Sequence, residues 1–193
     1  MALTAAAVFA AVLALVLVAF LAYTTYNAVI AMRQRIDKAW ANIEVTLEQR
    51  HDELPNLVSA VRDVMAYERD VLERVTAARA AFSSAAPVRE QATVAAATSS
   101  AIRSLFAVVE RYPELKSAAN VLSLQAEIER LEGLIADRRE LYNDTVYRYN
   151  TMIAQVPANL LASLLRWRPR DFFTAEQGAA EPPDARLRTG EPA

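Results

Sequence analysis

The chain has one histidine, His51, and it lies between Glu48 and Asp52, which gives a small group of ligand-type and proton-accepting side chains. A zinc centre needs about three or four ligands of suitable type and spacing. No cysteine or second histidine is present to complete one. The expectation is therefore a solvated loop histidine, with no metal ligand, no cofactor and no catalytic residue. Glu68 is a second candidate, because it falls between Val64 and Val71 at a spacing where a helix would present an apolar residue. A buried carboxylate is costly unless paired, and Arg138 or Arg139 is the available partner. Otherwise a slight rotation of the helix exposes Glu68. Gly133, Gly178 and Gly190 are the only glycines, too few and too scattered for a phosphate-cradling loop or a dinucleotide fingerprint. With no glycine loop, cysteine or histidine cluster, the chain is not expected to be an enzyme.

Two further groups carry polar chemistry. Tyr142-Asn143 and Tyr149-Asn150 repeat seven residues apart, so they stack two turns apart on one helix face. They can form a ligand-binding ladder. The better-supported reading is structural: buried Tyr142 and Tyr149, with their asparagines, hydrogen-bond across a helical core and fix its register. Trp40 is read in the same way, as a core anchor. The second group runs from Leu160 to Arg170, where Leu160, Leu161, Leu164 and Leu165 are followed by Arg166, Trp167, Arg168 and Arg170. Leucine with Trp and Arg suits a helix lying at a membrane surface, so Arg166, Trp167, Arg168 and Arg170 are candidate lipid contacts. The competing reading has these leucines closing the open end of a helical bundle.

The elements that position these residues begin with the apolar run Ala2 to Ala22, interrupted only by Thr4. About 20 such residues at 1.5 Å rise span the roughly 30 Å core of a bilayer. Residues 1–25 therefore read as an uncleaved transmembrane anchor, lacking the basic start and small-residue cleavage site of a signal peptide. No charge precedes Arg33, while Arg33, Arg35 and Lys38 follow the run. Positive residues close to a span favour the cytoplasmic side, which puts the amino terminus outside and the bulk of the chain in the cytoplasm of a plasma-membrane protein. A net charge of −2 and a pI near 5.6 argue against a nucleic-acid partner.

Residues 26–173 read as one helical domain. Apolar residues recur at helical steps in four stretches, the clearest being Val29, Met32, Ile36, Trp40, Ile43 and Leu47, and Val121, Ile128, Leu131, Ile135, Tyr142, Val146, Tyr149 and Ile153. The others run from Leu57 to Phe82 and from Val88 to Tyr112. Pro55, Pro87, Pro113 and Pro157 punctuate them, since interior prolines end or kink helices. Connections are expected at His51 to Asn56, at Ser83 to Pro87 and at Tyr112 to Glu114. The fold class is all-α: a transmembrane helix continuing into an antiparallel up-down four-helix bundle. Residues 174–193 are polar and proline-bearing and are expected to form a disordered tail.

An ordered series of short motifs resembles the LemA family. It comprises Tyr26-Asn27, Ala39-Trp40, Leu54-Pro55-Asn56-Leu57-Val58, Val75 to Ala80, Tyr112-Pro113-Glu114-Leu115-Lys116, Leu124-Gln125, the two Tyr-Asn pairs, Pro157-Ala158-Asn159-Leu160, Pro169-Arg170 and Phe172-Phe173. The resemblance implies a bacterial membrane protein with one N-terminal span, a cytoplasmic helical bundle and no assigned enzymatic activity. The chain departs from the family pattern at Val121 and Val156, where aromatic residues are usual, and at Tyr67-Glu68, where a His-Glu pair is often found. The last change weakens any metal or acid-base role at that pair. The expected function is a membrane-anchored scaffold or adaptor with protein partners or copies of itself. The alternatives are an organiser of anionic lipid surfaces and an enzyme of unrecognised type.

Overall fold

The structure is a computed structural model that describes residues 1–62, 64 and 67–175. Among these residues it is all-α, with helices α1 (Ala2–Val61), α2 (Arg69–Ala80), α3 (Val88–Val109), α4 (Pro113–Lys116), α5 (Ala119–Ala154) and α6 (Ala158–Leu165). Beyond Ala175 the expected tail lies outside the described residues.

α1 is a single 60-residue helix, about 90 Å long at 1.5 Å per residue. Its first third carries no packing: Leu3, Phe9, Leu15, Phe20 and their neighbours are all exposed. Over that stretch the mean hydropathy reaches 2.9 and nothing is buried. α3 is also long and apolar enough to cross a membrane, at 1.5, but 44% of its apolar window is buried. It is a core helix with Ile102, Leu105 and Val109 turned inward.

The connection expected at His51 to Asn56 is not there. α1 continues through Pro55 and turns only after Val61. Proline inside a helix costs about 3 kcal/mol. Four buried residues flank it, Leu54, Leu57, Val58 and Val61, and each contributes about 1.5–3 kcal/mol by leaving water. The Pro55 ring itself is exposed and takes no core position, so burial wins. Leu57 and Val61, assigned by spacing to the second stretch, therefore belong to α1. The expected loop at Ser83 to Pro87 is present, and Gln91 ties it down by donating from Nε2 to the carbonyls of Ser84 (3.1 Å) and Ala86 (3.0 Å). At the third corner a short helix, α4, plugs Leu115 into the core.

α5 runs back along α1 in the opposite direction: Glu132 meets Arg50, Arg138 meets Asn42, and Tyr142 meets Trp40. Every member of the stripe from Val121 to Ile153 is buried, as its spacing predicts. Two apolar clusters result. One joins Val29, Ile36, Ile43 and Leu47 to Ile135, Tyr142, Val146 and Ile153. The other joins Leu54, Leu57 and Val61 to Val75, Ile102, Leu105 and Ile128. Arg50 lies between them.

Candidate functional site

The two Tyr-Asn pairs do not bond across the helices. They hold the segment after α6 as an extended strap. Tyr149 Oη donates to the Arg168 carbonyl (3.1 Å), and Tyr142 Oη donates to the Asp171 carbonyl (3.0 Å). Asn150 donates to the Arg170 carbonyl (3.0 Å) and accepts from the Arg170 N–H (2.8 Å). Asn143 makes the same pair of bonds with Phe173, at 3.3 and 2.8 Å. Seven helical residues advance about 10.5 Å, and three extended residues advance about 9–10 Å. A heptad on α5 thus matches a three-residue step on the strap, and both pairs clamp it in one register. Trp40 packs against Tyr142 (5.5 Å between ring centroids) and Phe173 (5.8 Å), half-buried rather than deep in the core. Burial pushes the Tyr142 hydroxyl up to about 12, with Arg170 opposing and Asp171 and Asp37 adding to the shift.

α6 turns the chain from the end of α5 into the strap. Ala158 and Ala162 are its buried residues and join the cluster that holds Val29 and Ile153. Of the leucines, Leu161 is half-buried, while Leu160 is 69% exposed and Leu164 77%. Arg166 ends α6 in the left-handed region (φ 54°, ψ 40°), and the Trp167 N–H reaches back to the Ala162 carbonyl at 2.9 Å, a Schellman-type termination. Trp167 then stacks on Tyr26 at 5.9 Å. Beside it opens a cavity of about 580 Å3 whose lining includes Arg33, Arg166, Arg168 and Arg170. Arg170 pairs with Asp37 (3.4 Å), and Asp171, also in the lining, pairs with Arg89 (3.1 Å). Arg33, Arg166 and Arg168 have no ion-pair partner among the described residues.

The family model described as "LemA family" matches residues 39–186, which is well over half of the chain. The chain belongs to the LemA family. Among curated proteins, this LemA-family chain is similar to magnetosome proteins MamQ 1 and MamQ 2 of Paramagnetospirillum magneticum, each 34% identical over 83 residues. That match covers 43% of this chain and 30% of each relative. Magnetosome protein MamQ of Magnetospirillum gryphiswaldense is 30% identical over 73 residues, or 38% and 27% of the two chains. The chain thus matches less than a third of the length of these relatives.

The remaining candidates from the sequence fall elsewhere in the chain. His51 is not in a loop but inside α1, partly buried, with its ring 4.9 Å from that of Phe82. Its buried Nδ1 has no hydrogen-bond partner among the described residues. Glu68 is partly buried at the start of α2 and pairs with Arg111 in the turn that follows α3 (3.2 Å), not with helix α5. Arg138 instead donates to the Asn42 carbonyl (2.6 Å) and to Thr46 Oγ1.

One cluster escaped the sequence reading. Arg50 donates to Glu132 (2.6 Å), to Ser99 Oγ (2.9 Å) and to the Ala95 carbonyl (3.4 Å), while Ser99 donates to the other Glu132 oxygen (2.6 Å). These groups tie α1, α3 and α5 together. The signal was present: Arg50 occupies the stripe position between Leu47 and Leu54, and the α3 stripe skips a step between Ala95 and Ile102.

Proposed function

We propose that this LemA-family chain is a single-pass membrane protein whose up-down four-helix bundle, formed by α1, α2, α3 and α5, acts as a non-catalytic scaffold for protein partners. The observation that carries this reading is the unbroken α1. It joins an apolar stretch with nothing packed on it to a helix whose next stripe is core. No hinge separates span from body, so the helical body projects about 60 Å beyond the span as a rigid arm. Arg33, Arg35 and Lys38 support a cytoplasmic body. The absence of any catalytic motif in the sequence supports a binding role, as does the commitment of the Tyr-Asn pairs to holding the strap.

Crosslinking in intact membranes, followed by detergent purification and mass spectrometry, tests the scaffold. A recurrent partner at fixed stoichiometry, or a defined self-assembly, is the expected result. Recovery of the chain alone would refute it. Protease added to intact spheroplasts is expected to spare the bundle, and its digestion from outside would reverse the orientation.

A further inference from the structure

We propose that the cavity bounded by Arg33, Arg166 and Arg168 binds the phosphate headgroup of an anionic phospholipid, with Trp167 and the exposed leucines of α6 resting in the same leaflet. The inference rests on residues 2–22 spanning the bilayer. The height of the cavity follows from that span. Tyr26, on which Trp167 stacks, stands about 6 Å beyond Ala22 along α1, within the headgroup zone. α5 descends toward this level and the strap climbs away from it, so α6 occupies the membrane-proximal end of the body. Its buried face is alanine and its outer face is Leu160, Leu164 and Leu165, next to exposed Val156. Leucines turned outward in this way are costly in water and favourable in an acyl layer.

Charge selects the lipid. The chain as a whole is acidic, with a net charge of −2, yet this end leaves Arg33, Arg166 and Arg168 without carboxylate partners among the described residues. The two carboxylates nearby, Asp37 and Asp171, are engaged by Arg170 and Arg89. Guanidinium forks bind phosphate oxygens in pairs, and a cavity of about 580 Å3 has room for a phosphoglycerol headgroup. Arg170, grouped by sequence with Arg166 and Arg168, is replaced in this role by Arg33 from α1. The backbone of Arg170 is held by Asn150.

The full-length chain carrying Trp40→Phe keeps Trp167 as its only tryptophan and is reconstituted in phosphatidylcholine vesicles containing phosphatidylglycerol. Quenching of Trp167 by acyl-brominated phosphatidylglycerol is expected to exceed quenching by brominated phosphatidylcholine at equal mole fraction. Each arginine near an anionic surface is worth about a fivefold preference. The variant Arg33→Gln/Arg166→Gln/Arg168→Gln should therefore lower the preference at least about tenfold. Equal quenching by the two lipids, or a preference that survives the triple variant, overturns the proposal. Suppression by millimolar inorganic phosphate overturns it in favour of a free-anion site. Native mass spectrometry of the wild-type chain from detergent, expected to show retained phosphatidylglycerol over phosphatidylcholine, gives a second reading that needs no variant. Carbonate extraction separates the two claims. Release of the chain overturns the span and this inference with it, whereas retention without lipid preference overturns this inference alone.

Discussion

Replacing Glu132 by Leu should destabilise the helical body far more than replacing Arg50 by Met, although both changes break the same ion pair. The asymmetry follows from burial: the Arg50 side chain is 4% exposed and that of Glu132 is 29% exposed. Without Glu132 the guanidinium keeps only Ser99 and the distant Ala95 carbonyl and remains an uncompensated cation between two apolar clusters. Stranding a buried charge in this way costs about 3–5 kcal/mol. Without Arg50 the carboxylate keeps its bond from Ser99 and meets solvent on its open side, so the loss is about 1–2 kcal/mol, the value of the forfeited hydrogen bonds. The double variant Arg50→Met/Glu132→Leu removes both charges and should return to within about 1 kcal/mol of the parent or exceed it, as buried pairs replaced by apolar residues often do. Denaturant unfolding of a chain beginning at Tyr23 measures all four states, since the residues removed make no packing contact with the body. Equal losses in the two single variants, or a Glu132→Leu cost below about 1 kcal/mol, would show that the pair does not hold the helices as described.

Asn143→Ala and Asn150→Ala each remove two bonds to the strap and should cost about 1–3 kcal/mol apiece, read as earlier proteolytic cleavage near residues 166–173 with helicity retained. Tyr142, held neutral up to about 12 in the fold against about 10 in an unfolded chain, contributes stability that is complete below pH 10. That contribution is lost as pH rises from about 10 to 12, because only the unfolded form releases its proton there. Unfolding midpoints across this range should fall more steeply for the parent than for Tyr142→Phe.

Local periodicity made the helices legible. The stripe from Val121 to Ile153 is buried at every position, because a 3.6-residue repeat is a property of neighbouring residues and needs no knowledge of the partner. The apolar run before Tyr23 and the loop at Ser83 to Pro87 were legible for the same reason. Tertiary structure decided where local signals competed. Pro55 marked a break by its chemistry, but the burial of Leu54, Leu57, Val58 and Val61 against the rest of the fold carried α1 onward to Val61. The Tyr-Asn repeat announced a ladder without naming what it grips. Its partners are main-chain carbonyls and N–H groups of the strap, which every residue type presents alike and which leave no mark in a sequence. Arg33 and Arg168, 135 positions apart, border one cavity only because α6 reverses the chain beside the start of the helical body. That juxtaposition is a matter of distance in space, and no spacing along the chain encodes it.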